Sequence, residues 1–147
     1  MKKWNSLLFI ILVILLGTAL LAGNVTAADD PFNYITPDET KSKIETGEVM
    51  TLLDIQVEDE YTRHHIKGSL PTYAYPVKSD AEKARLDKVI SDLSSRTDPI
   101  VIICPRGGGG AKRTFEYLAS RGIESERMFI LEKGQSGWPY PQFIVTN

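Results

Sequence analysis

Cys104-Pro105-Arg106-Gly107-Gly108-Gly109-Gly110 is the stretch of this chain best equipped for chemistry. Its cysteine is the only one in 147 residues, so an internal disulfide is excluded and the thiol is inert core, an intermolecular link or a nucleophile. Glycines let a backbone curl until successive N–H groups point inward, which makes a nest for an anion. A helix starting just beyond adds the partial positive charge of its first turn. Sulfur at the base of such a cup is held as a thiolate, which attacks without a histidine base. Arg106 at the rim supplies a guanidinium for the thiolate or for an anionic substrate. Taken separately, a lone cysteine after an apolar strand is filler and a glycine run is a loose loop. Taken together at a strand end, they make Cys104 the nucleophile and Arg106, Gly107, Gly108, Gly109 and Gly110 its cradle.

Other chemistries of a glycine-rich loop fit less well. A nucleotide-binding phosphate loop ends Gly-Lys-Ser/Thr, whereas this one ends Gly110-Ala111-Lys112-Arg113. A cysteine phosphatase needs arginine six residues after the nucleophile, where this chain has Gly110; Arg106 and Arg113 keep that reading open. With one cysteine and two histidines, a four-ligand structural zinc site would need carboxylates, and no metal or cofactor is expected. The balance of 17 basic and 19 acidic side chains gives no reason to expect nucleic acid as a partner.

The loop needs a frame, and the flanking pattern supplies one. Ile100-Val101-Ile102-Ile103 is an unbroken β-branched run after the Asp98-Pro99 break, as a parallel strand covered on both faces requires. Residues 111–121 then repeat apolar side chains at helical spacing, Gly122 closes the helix, and Met128 to Leu131 returns as a strand. Upstream, Thr36-Pro37-Asp38-Glu39 starts a helix that Gly47 ends, residues 50–55 form a buried strand, residues 58–64 a short helix or turn, and residues 79–93 an amphipathic helix. Alternating strands and helices give an α/β fold with a mainly parallel sheet. In such sheets ligands bind at the carboxyl ends of strands, where Cys104 stands.

Five motifs in order resemble the rhodanese family: Leu53-Asp54-Ile55; Glu60-Tyr61; His64-His65-Ile66-Lys67-Gly68-Ser69; Ile103-Cys104 with its loop; and Leu131-Glu132-Lys133-Gly134 ahead of Trp138. The resemblance implies the rhodanese-like three-layer α/β fold around a central, mainly parallel sheet. It implies sulfur transfer through a Cys104 persulfide, with thiosulfate, a small anionic sulfur donor, or a persulfide as donor, a thiol or cyanide acceptor, and room for a protein acceptor. A non-catalytic sulfur carrier, or a binding module that docks onto a sulfur-metabolism partner, would need the same residues. Asp54 and His65 are read as structural support, Asp54 anchoring neighbouring backbone and His65 packing the loop that enters the next strand. The chain departs from the family pattern at Gln56 (commonly arginine), His64, Pro105, Gly109 and Lys133. With so few side chains in the loop, Arg106 and either Lys112 or Arg113 are left to read the substrate.

Residues 34–141 are thus expected to be the rhodanese-like domain, with a short linker at 28–33 and a tail at 142–147. Lys2-Lys3, the apolar run from Leu7 to Ala22 and Val25-Thr26-Ala27 have the layout of a secretory signal over residues 1–27. Sixteen helical residues span about 24 Å against a hydrocarbon core of about 30 Å, so the membrane is a partner only if this segment stays as an uncleaved anchor. The expected product is exported, to the periplasm, and begins near Ala28. N-terminal sequencing of the protein from its host checks this; full-length chain in the membrane fraction would contradict it.

Overall fold

The computed structural model describes residues 30–146; the expected signal segment, the first residues of the expected linker and Asn147 lie outside the described residues. The elements run β1 (Tyr34–Ile35), α1 (Pro37–Thr46), β2 (Thr51–Asp54), α2 (Glu58–Arg63), β3 (His65–Ile66), β4 (Leu70–Pro71), α3 (Asp80–Ser94), β5 (Ile100–Ile103), α4 (Gly109–Ser120), β6 (Met128–Leu131) and β7 (Ile144–Val145). Five strands form one parallel sheet in the order β1-β6-β5-β2-β4, and β3 pairs antiparallel with β7 apart from it.

β5 lies at the centre, in register with β2 (Ile102 beside Leu53) and β6 (Ile102 beside Ile130). All four of its residues are fully buried because side chains alternate between two apolar layers. Ile100 and Ile102 pack with Leu86 and Leu93 of α3 and Phe115 and Leu118 of α4. Val101 and Ile103 pack with Leu52, Ile66, Leu131 and Trp138, against which Ile44 of α1 and Phe143 rest. These are the three layers of the expected α/β fold.

The helix ends follow local chemistry. Thr36 with Glu39 and Ser79 with Glu82 close capping boxes at α1 and α3, and Gly47 takes a left-handed φ of 71° to end α1. The helix expected from residue 111 instead begins at Gly109, with Gly108 as its N-cap and no side chain capping it. Among the described residues, no side-chain acceptor meets its first-turn N–H groups.

Segments read as appendages belong to the fold. In the expected linker, the Phe32 ring meets Phe115 edge-on at 5.3 Å, and Asn33 Nδ2 donates to the carbonyls of Ser125 and Met128. In the expected tail, β7 pairs with β3, and Lys67 N–H donates to the Phe143 carbonyl at 2.7 Å. Two-residue strands carry too short an apolar pattern to be seen in a sequence. Deleting residues 143–147 removes three half-buried apolar side chains and should lower stability by about 3 kcal/mol in urea unfolding; an unchanged midpoint would return these residues to the status of a tail.

Candidate active site

Cys104 follows β5 directly, with 1% of its surface exposed. The Gly107 N–H donates to its Sγ at 3.0 Å. Gly107 reaches that position with a left-handed φ of 67°, and a Cβ there would stand 2.6 Å from the Lys133 nitrogen. The loop is thus curled against the chain leaving β6. Two hydrogen bonds lock the contact: Gln135 N–H to the Cys104 carbonyl at 2.8 Å and Ser136 N–H to the Pro105 carbonyl at 3.0 Å. Just ahead of both donors Gly134 makes the closest approach, since a Cβ there would lie 2.1 Å from the Cys104 oxygen. The preceding Lys133 holds φ at 60°, a region glycine enters freely and a lysine does not.

The remaining glycines have separate surroundings. A Cβ on Gly110 would press on the Tyr75 ring at 2.7 Å, whereas one on Gly108 would meet nothing within 4 Å. One on Gly109 would lie 2.9 Å from Nη1 of Arg113, one turn further along α4. Of the expected cradle, Gly107 alone has its N–H on the sulfur; Gly108 caps α4, and Gly109 and Gly110 form its first turn. Arg106 is exposed, and its side chain makes no hydrogen bond among the described residues.

Lys112 and Arg113 are separated by the helix. Lys112 Nζ turns to Asp30 Oδ2 at 3.2 Å and lies 4.8 Å over the Phe32 ring, which holds the N-terminal segment to α4. Arg113 turns toward the loop, its Nε donating to the Pro76 carbonyl at 2.9 Å. Arg113 stands four residues after Gly109, a spacing that puts the two on one helix face once the helix start is known. Tyr75, between β4 and α3, had no such signal.

Asp54 and His65 are occupied elsewhere. The Asp54 carboxylate accepts from the Gln56 backbone N–H at 2.8 Å and from Gln56 Nε2 at 3.0 Å, while its carbonyl accepts from Thr72 N–H at 2.8 Å. His65 Nδ1 lies 2.8 Å from the Tyr61 carbonyl, and its ring stacks on Tyr61 with centroids 3.9 Å apart. Asp54 ties β2 to the segments that follow β2 and β4, and His65 ties β3 to α2.

Burial pushes the Asp54 carboxyl from 3.8 up to about 6, against the opposing pull of the two Gln56 hydrogen bonds. No basic side chain forms an ion pair with it among the described residues, and Gln56 offers only neutral donors. Because the native state holds this proton more tightly than the unfolded chain, the stability it contributes is present below about pH 4 and lost as pH rises to about 6. The carboxyls of Glu39 and Glu82, lowered chiefly by the cap amides they accept from, act with the opposite sign at lower pH. Comparison with Asp54→Asn isolates the Asp54 effect. The variant should gain on the parent by about 2 kcal/mol between pH 4 and pH 7 in urea unfolding; a constant difference would contradict it.

The sequence model of the family described as "Rhodanese-like domain" matches residues 36–139. A search of curated protein sequences finds no match. Among solved structures, the rhodanese-like domain of an Anabaena protein is 21% identical, with 80% of each chain covered and a TM-score of 0.62. The As/Sb reductase of Leishmania major is 14% identical over 78% of this chain and 86% of its own, with a TM-score of 0.61. A yeast protein tyrosine phosphatase of the rhodanese family is 17% identical over 79% of this chain and 93% of its own, with a TM-score of 0.59. At these identities the structures share the fold. With all five motifs inside or beside the matched span and the cysteine loop at the end of the central strand, the chain belongs to the rhodanese-like domain family.

Proposed function

We propose that the protein is a sulfurtransferase that carries sulfane sulfur as a persulfide on Cys104. The carrying observation is the Gly107 N–H on Cys104 Sγ, beside a helix whose N-terminus has no side-chain cap. A neutral thiol sulfur accepts a hydrogen bond only weakly, whereas a thiolate and a persulfide anion are both stabilised by one. The Cys104 thiolate attacks the outer sulfur of thiosulfate, and sulfite leaves with the electrons of the broken S–S bond. An acceptor thiolate or cyanide then takes the outer sulfur, and the pair of the Cys104 S–S bond returns to Sγ. Arg106, exposed and without a side-chain hydrogen bond among the described residues, holds the anionic donor at the mouth.

Phosphate-ester hydrolysis has less support. The place six residues after the cysteine is Gly110, and the Tyr75 ring fills the space where a side chain there would begin. A sulfur carrier that hands its persulfide to a partner is the second reading, favoured by the 1% exposure of Cys104, which shields a persulfide from solvent. Export is part of the proposal, supported by the signal layout of residues 1–27.

Steady-state assay with thiosulfate and a thiol acceptor tests the reading. Wild type should turn over, Cys104→Ser should not, and neither should hydrolyse an aryl phosphate; a carrier would load sulfur without sustained turnover. Arg106→Ala should raise KM for thiosulfate by roughly tenfold to a hundredfold, the value of a charge-assisted contact, and change kcat less. A fall in kcat alone would move Arg106 from donor binding to the transition state.

A further inference from the structure

The segment between β4 and α3 walls the cysteine loop on the α4 side, and beyond it lies an open surface pocket of about 420 Å³. Lys78, Lys83 and Arg113 line it, with Glu116 the one acid among its lining residues. Arg113 belongs to both places. Its Nε is fixed on the Pro76 carbonyl, while Nη1 lies 2.9 Å from the point where a Gly109 side chain would begin. Glycine at 109 therefore leaves room for a guanidinium that reaches the loop from the helix and faces the pocket as well. The wall is held in an uncommon shape: Tyr73 and Val77 both have positive φ, at 56° and 61°, and Val77 is buried in the core. A β-branched residue in that region is a conformational outlier of the kind that clusters at ligand sites.

We propose that this pocket binds the anionic tail of the sulfur acceptor, a small thiol bearing carboxylates or phosphates, and that Arg113 aligns it with Cys104. The inference rests on the sulfur-transfer reading and names the substrate class. A compact donor such as thiosulfate is held at the cup, whereas a pocket of this size outside the cup suits the body of a larger molecule. Lys78, Lys83 and Arg113 offer three cations to a ligand against Glu116; Asp80, at 4.0 Å from Lys83, and Glu82, whose carboxylate accepts from the Lys78 N–H at 2.6 Å, offset part of that charge, while Asp87, which accepts from the Tyr117 hydroxyl, is paired with Arg121. In the step served, the acceptor thiol loses its proton to solvent and its thiolate attacks the outer sulfur of the Cys104 persulfide. A new S–S bond forms on the acceptor, the old one breaks, and its electron pair stays on Cys104 as thiolate.

The test compares glutathione, which carries carboxylates, coenzyme A, which carries phosphates, and uncharged 2-mercaptoethanol, with thiosulfate as fixed donor. Arg113→Gln and Lys83→Gln should each raise KM for at least one charged thiol, by about tenfold for Arg113→Gln, and leave KM for 2-mercaptoethanol unchanged. The charged thiol affected identifies the tail. Lys83 lies on α3 away from the loop, so its variant keeps the test open if Arg113→Gln disturbs the Pro76 contact. Equal KM changes for charged and uncharged thiols, or none, would overturn the proposal. Calorimetry of S-methylglutathione and of coenzyme A disulfide with Cys104→Ser separates the pocket from the chemistry. Binding lost on adding Arg113→Gln supports the pocket even if wild type transfers no sulfur; absence of binding by both ligands overturns it even if transfer proceeds.

Discussion

The contact between two backbones, the cysteine loop after β5 and the chain leaving β6, is the constraint on which the site depends. Gly134 lies where any Cβ would overlap the Cys104 carbonyl, and Gln135 and Ser136 donate to the two carbonyls at the start of the loop. That contact leaves Gly107 one place to go, under a left-handed φ, with its N–H on the sulfur. A side chain at either glycine would force the two loops apart. The chemistry therefore begins with an absence of side chains: the donors are backbone groups whose positions are set by strand register, not by rotamers. The cost is visible at Lys133, a non-glycine held in the same left-handed region beside them.

Register in turn comes from burial. β5 is covered on both faces and flanked by parallel partners on both edges, so its last residue cannot slip without moving apolar side chains between layers. The frame also contains an expensive element. Asp54 ends the neighbouring strand fully buried, and where family members commonly have arginine this chain offers the neutral amide of Gln56. Its hydrogen bonds organise the β2 exit and the approach to β4, but they offset the desolvation of a carboxylate only in part. The strand ends that frame the loop therefore include a group that favours its proton, and this couples the frame to mild acidity.

Much of the architecture was legible because it is local. Thr36 with Glu39 and the Ile100–Ile103 run announce their elements within a few residues, and the Cys104 loop stood out because a nucleophile and a nest adjoin. What depended on distant partners was not legible. β7 is two residues long and exists as a strand because it pairs with β3, and Phe32 is fixed by Phe115 more than eighty residues on, so residues 28–33 and 142–147 read as linker and tail. The start of α4 was misplaced by two residues because glycines carry no helical signal, and that start decides that Lys112 faces Asp30 while Arg113 faces Gly109. The close approach at Gly134 could be located from its motif but not explained, since its neighbour lies about thirty residues away in sequence.

The central claim is that Cys104 holds transferable sulfur in a backbone cup. Intact-mass measurement after incubation with thiosulfate, repeated after adding cyanide, tests it without any assumption about the physiological acceptor. The account predicts one added sulfur atom on the wild-type chain, its removal by cyanide, and no addition to Cys104→Ser. An unmodified wild-type mass with the fold intact, or equal addition to the serine variant, would contradict it.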